Sequence, residues 1–84
     1  MREFLYVIND PMGFHARPAS QVFMEARKYM SSVEVSSEGE LADGKNLLSL
    51  MGLGVKEGGV VRFRLEGPDE EEAEAALKAV LKEI

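Results

Sequence analysis

The residues that could do chemistry are concentrated in Gly13-Phe14-His15-Ala16-Arg17-Pro18-Ala19-Ser20. His15 is the only histidine of the chain, Arg17 follows two residues later, and a helical pattern begins at about Ala16. A titratable ring therefore stands at the mouth of a helix with a fixed cation beside it. The first N–H groups of a helix have no internal partner and point outward, and with the macrodipole they favour an anion. Arginine presents a planar fork of donors that matches phosphate oxygens. Imidazole supplies a nitrogen nucleophile. The expected chemistry is a phosphoryl group accepted on His15 and handed on.

Blander readings compete at each residue. A lone histidine is more often a surface or structural residue than a reactive one. Arg17 alone would be a solvated residue at a helix start, set somewhat unfavourably against the dipole. Ser20 reads first as helix surface and second as lining for a phosphate pocket. A metal site is not expected, because one histidine and no cysteine offer too few ligands, and no cofactor is expected either.

Composition narrows the class. The chain has 84 residues and begins with Met, and we read one complete small domain over residues 1–84. A chain this short buries only about 60% of its unfolded surface, which favours a surface site serving larger partners. With no cysteine, packing must replace disulfide staples, which suits a reducing cytoplasm. No apolar run approaches the ~18 residues that cross a bilayer, so membrane insertion is not expected. The net charge is −5. Residues 66–84 carry all of it, with seven acidic and two basic side chains, whereas residues 1–65 hold eight of each. An acidic domain without aromatic platforms is a poor nucleic-acid binder. An acyl carrier of similar size would need a serine for phosphopantetheine in an Asp-Ser-Leu-like context, and that string is missing.

The elements that must position His15 follow from periodicity. Phe4, Tyr6 and Ile8 alternate with Leu5 and Val7 and predict a strand. Asn9-Asp10-Pro11-Met12-Gly13 is turn chemistry. Pro18 fits a first helical turn, and Ala19, Val22, Phe23, Ala26 and Met30 predict a helix over about 16–29. Val33 and Val35 mark a second strand, Glu38-Gly39 a turn, and Glu40–Asp43 a short return strand. Asn46 is a helix cap for a short helix from Leu47 to about Met51. Its Leu47, Leu48, Leu50 and Met51 cannot all face inward, and Leu48 is the expected exposed one. Val61, Phe63 and Leu65 face one way in a fourth strand, with Val60, Arg62 and Arg64 on the other. After Gly67-Pro68, Asp69 and Glu72 fit a capping box. The last helix carries Ala73, Ala76, Leu77, Val80, Leu81 and Ile84 on one face, with a Glu74–Lys78 pair. The order β-α-β-β-α-β-α predicts a two-layer α+β sandwich with helices on one face of the sheet.

Gly13-Phe14-His15-Ala16-Arg17-Pro18-Ala19 resembles the active-site signature of HPr, the small histidine phosphocarrier of the bacterial sugar phosphotransferase system, and the likeness runs over the whole chain. The resemblance implies an open-faced β-sandwich with an antiparallel sheet ordered 1-4-2-3, an order that spacing alone does not give. It implies that enzyme I passes phosphate from phosphoenolpyruvate to Nδ1 of His15, and that the carrier donates it to IIA domains of sugar permeases. Arg17 and the amides of Ala16 and Arg17 would hold the phosphoryl group. Such a carrier is not an enzyme by itself and is most simply a monomer. Met12, Phe14, Ser20, Met24, Leu47, Leu48 and Met51 would form its partner-docking rim.

The chain departs from the family at three positions. Asn46 stands where many relatives carry a regulatory serine, so that kinase switch is expected to be absent. Incubation with the serine kinase and ATP should leave the chain unlabelled, and phosphate on any serine would overturn this. Met12 and Met24 stand where small polar and lysine residues are common, and they make the rim more apolar. Two other functions are alternatives: a paralogue using the same chemistry in a nitrogen-related or dihydroxyacetone kinase chain, which the sequence does not separate from the sugar carrier, and a regulatory module that binds partners without being phosphorylated, against which His15 argues.

Overall fold

The alternating segments form the strands and the 3.6-residue stripes form the helices. The computed structural model describes all 84 residues in the order β1 (Arg2–Val7), α1 (Ala16–Ala26), β2 (Ser32–Ser37), β3 (Glu40–Asp43), α2 (Leu47–Met51), β4 (Val60–Glu66) and α3 (Glu70–Glu83). The strands make one antiparallel sheet ordered β1-β4-β2-β3. The fold is the expected open-faced α+β sandwich.

Registry explains which side chains meet. Phe63 in β4 lies opposite Phe4 of β1 and Val35 of β2, so all three occupy the inner face. The rings of Phe4 and Phe63 stack with centroids 4.9 Å apart. Val61, Phe63 and Leu65 are fully buried with Val22 of α1, Leu50 of α2 and Leu77 of α3. Burying a side chain of this size contributes about 1.5–3 kcal/mol. On the open face the sheet shows charge: Arg64 lies 3.2 Å from Glu3 and 3.4 Å from Glu34. Leu5, Val7 and Val60 are also exposed there, as antiparallel sheets permit.

Two local expectations are corrected. The first helix stops at Ala26 rather than near 29. Lys28 and Tyr29 donate to Glu25 and Ala26 at 3.1 and 3.3 Å, a tightened last turn. The next two amides, Met30 and Ser31, then leave the helix and donate to the Asp69 carboxylate at 2.9 Å each. Met30 is exposed and takes no part in the core stripe. The same carboxylate is thereby withdrawn from the expected capping box. Asp69 occupies the N-cap position of α3, yet its side chain makes no capping bond. It serves Met30, Ser31 and the buried Ser31 hydroxyl instead. The Ser31 hydroxyl and the two amides hold its carboxyl below the ordinary carboxylate range. Glu70 takes over at the helix start, accepting from Gly67 N–H at 3.1 Å and pairing with the terminal amine at 2.8 Å.

The chain start is tied to α3 by charge. Arg2 meets Glu74 at 2.7 Å, and Lys78 approaches the same carboxylate at 3.3 Å, which is the expected Glu74–Lys78 pair. Glu74 is buried, and with two cations on it the carboxylate has the partners that burial demands.

Candidate functional site

The site begins as a turn. Asp10 accepts from Gly13 N–H through its carbonyl at 2.8 Å and from Met12 N–H through Oδ1 at 2.8 Å. Asp first, Pro11 second and Gly13 fourth is a favoured arrangement for such a turn. Gly13 has φ +74°, a left-handed conformation that glycine adopts without steric cost. Any Cβ there would also collide with the Val55 carbonyl. That carbonyl instead accepts from Phe14 N–H at 2.8 Å. The loop before β4 thus pins the loop before α1, and His15 is placed by both.

His15 is the N-cap of α1, with extended backbone (φ −92°, ψ −171°) and no capping bond from its side chain. Its carbonyl accepts from Ala19 N–H at 3.1 Å, so the backbone opens the helix and leaves the ring free. The ring is half-buried. Because Pro18 has no N–H, the first turn offers two unpartnered amides, Ala16 and Arg17. These are the two amides that the family resemblance implies. Arg17 is exposed, and its guanidinium makes neither hydrogen bond nor ion pair. No acidic residue occupies the first turn of α1. The positive end of the helix is therefore not compensated from within its own first turn, and its free amides would stabilise an anion there.

One participant is not evident from the sequence. Asp10 Oδ2 lies 3.2 Å from His15 Nε2. The Met12 amide, and after it the His15 ring, hold the Asp10 carboxyl below its ordinary range. The signal is present in Asp10-Pro11-Met12-Gly13, but turn residues read as punctuation do not say where a side chain points.

A second participant comes from the far end of the chain. Glu83 and Ile84 line an open notch of about 230 Å³ with Asp10, Arg17, Pro18 and Gln21. The acidity that lies far from His15 in sequence thus reaches the rim of the site through the last turn of α3.

The expected docking residues divide. Met12 is 75% exposed and Leu48 is 81% exposed, with Met24 and Met51 also open to solvent. Leu47 and Ser20 are half-buried. Phe14 is a correction: at 4% exposure it belongs to the core. Its amide is tied to Val55, and its ring turns inward, away from any partner. At the other end of the rim, Asn46 caps α2 by accepting from Ser49 N–H at 3.0 Å, and the Ser49 hydroxyl accepts from Asp43 N–H at 3.0 Å.

Comparison with known proteins agrees with this geometry. Residues 3–83 match the family described as "PTS HPr component phosphorylation site". The chain is 43% identical over 83 residues to the phosphocarrier protein HPr of Mycoplasma pneumoniae, covering 98% of this chain and 94% of that one. It is 39% identical over 84 residues to HPr of Lysinibacillus sphaericus, covering 100% and 96%. Among solved structures, HPr of Thermoanaerobacter tengcongensis superposes with TM-score 0.90 at 36% identity, over 98% of this chain and 92% of that one. A mycoplasma histidine-containing phosphocarrier protein superposes with TM-score 0.95 at 28% identity, over 98% and 93%. With the fold, the strand order and the histidine motif in agreement over the full length, the chain belongs to the HPr family of phosphocarrier proteins of the phosphotransferase system.

Proposed function

We propose that His15 accepts a phosphoryl group from phospho-enzyme I and donates it to IIA domains of sugar permeases. The observation that carries this reading is the placement of the only imidazole at the N-cap of α1, beside two unpartnered amides and an unpaired guanidinium. Phosphoryl transfer needs positioning and electrostatic stabilisation more than covalent help from the protein. The Ala16 and Arg17 amides and the Arg17 side chain supply both. The site is open rather than enclosed, so the chain acts as a carrier that turns over between partner enzymes, not as an enzyme. No helix is long and apolar enough to cross a membrane, and the reading places the carrier in the cytoplasm with enzyme I.

Phosphoenolpyruvate and enzyme I should label the full chain with acid-labile, base-stable phosphate. No incorporation by an active enzyme I would overturn the proposal.

The rim supports a docking role for α2 and the start of α1. Methionines adapt to more than one partner surface, and Met12, Met24 and Met51 join Leu48 as open apolar side chains. Leu48→Ala should leave unfolding within about 0.5 kcal/mol of the parent, because so exposed a side chain contributes little to the core. Steady-state transfer from enzyme I should show a Michaelis constant raised roughly five-fold or more, the effect of losing about 1 kcal/mol of interface. An unchanged Michaelis constant would remove Leu48 from the docking surface.

A further inference from the structure

We propose that Asp10 is a positioning residue that keeps the proton of His15 on Nε2 and so leaves Nδ1 as the nucleophile. The inference rests on the proposed acceptance of phosphate by His15 and adds to it which group selects the reactive nitrogen.

The two oxygens of Asp10 have separate tasks. Oδ1 accepts from Met12 N–H at 2.8 Å, two residues on, which fixes the plane of the carboxylate. Oδ2 is then presented to His15 Nε2 at 3.2 Å. An ionised carboxylate can only accept hydrogen bonds. The nitrogen facing it must therefore be the donor, so Nε2 carries the proton and the Nδ1 lone pair is free. The carboxylate is ionised at neutral pH, since the Met12 amide and the His15 ring hold it below its ordinary range.

Transfer adds a second role. The Nδ1 lone pair forms the bond to phosphorus, and the bond from phosphorus to the donor breaks with its electron pair left on the donor. No proton moves. The ring, which keeps its Nε2 proton, gains positive charge as the bond forms. Asp10 already faces the side of the ring where that charge is shared. The carboxylate thus favours the transferred state by a charge-assisted hydrogen bond, and it does so from the opposite side of the ring to Nδ1.

Substitution by asparagine gives a sharper test than deletion. The Met12 amide still demands an oxygen, so the amide side chain of Asp10→Asn would keep its carbonyl there and the local turn would persist. Its NH2 group would then face Nε2. A donor in that place requires Nε2 to accept, which moves the ring proton to Nδ1 and occupies the nucleophile. Asp10→Ala removes the carboxylate and leaves neither ring nitrogen preferred. The expected order is therefore wild type fastest, Asp10→Ala intermediate and Asp10→Asn slowest.

The experiment uses the full-length chain labelled with 15N. Long-range 1H–15N spectra of the His15 ring at pH about 8.5, where an ordinary imidazole is neutral, report which nitrogen bears the proton. Wild type should show the proton on Nε2, and Asp10→Asn should show it mainly on Nδ1. Transfer from phospho-enzyme I, followed in parallel, should fall roughly ten-fold in Asp10→Asn, the scale of one well-formed hydrogen bond. An Asp10→Asn ring that keeps its proton on Nε2 would overturn the inference, whether or not transfer slows, because slowing alone is what a loosened turn would produce. If wild type accepts no phosphate, the proposed function fails, while the ring spectra still decide the role of Asp10.

Discussion

His15→Ala is expected to abolish phosphate incorporation from phosphoenolpyruvate and enzyme I while leaving the unfolding transition close to that of the parent. The chain has no other histidine to take over. Ser20, a hydroxyl on the same helix, is half-buried, and a serine needs an activating base to act as a nucleophile. The fold tolerates the change because His15 starts the helix through its carbonyl, not its ring. Ala19 N–H donates to that carbonyl at 3.1 Å, and the side chain makes no capping bond. The substitution removes the hydrogen bond between the ring and Asp10, and Asp10 retains Met12 as a donor. Acid-labile label per mole of protein, read beside a thermal melt of the same preparation, checks both halves. Label retained in the variant would move the phosphate to another residue. A collapsed melting curve would make His15 structural.

The largest expected effect on stability belongs to Phe63→Ala. Phe63 is wholly buried in β4, the strand paired on both sides. Its ring stacks on Phe4 at 4.9 Å and faces the core that all three helices enclose. Truncating a buried phenylalanine costs ~3–5 kcal/mol in transfer and cavity terms together. Small domains hold only about 5–15 kcal/mol in total. For a chain of this size the melting temperature should drop by roughly 12–40 °C, at about 4–8 °C per kcal/mol. Chemical denaturation would measure the loss of free energy and a thermal melt the fall in melting temperature. A change under about 1 kcal/mol would mean that the sheet and helices are held by something other than this core.

The two results separate function from fold. The first removes an activity from an intact scaffold, and the second removes the scaffold that aims the ring. Their independence is expected from position. His15 is the N-cap of α1 and lies outside the buried core, whereas Phe63 is a core residue of the strand paired on both sides.

Much of this arrangement is legible in the residues. Period-two alternation at Phe4, Tyr6 and Ile8 and at Val61, Phe63 and Leu65 marks which side chains face inward, and the structure turns those faces to the core. Asn46 has the type and position of a cap, and it is one. Leu48 and Met51 are the exposed members of α2, because a five-residue helix cannot bury four large side chains. These are local signals, settled by geometry within a few residues of the side chain concerned.

Errors arise where distant groups compete for the same atoms. Asp69 has the right residue type for a helix cap, but Met30 and Ser31 supply donors from another part of the chain. That choice both ends α1 early and leaves α3 to start by other means. Phe14 reads as rim because it adjoins His15, yet Gly13 turns left-handed and swings its ring into the core. The facing of a neighbouring residue along the chain does not carry over when the backbone changes hand.

By itself, then, the sequence determined the order of elements, the inner and outer faces and the motif that puts an imidazole, a guanidinium and two free amides at one helix start. Those follow from covalent neighbours and short-range periodicity. Only the tertiary structure decided that Asp10 faces Nε2 of His15, that Val55 anchors the loop, and that Glu83 and Ile84 reach the rim of the site. Each of these depends on packing or on a side-chain direction, and neither is encoded in spacing.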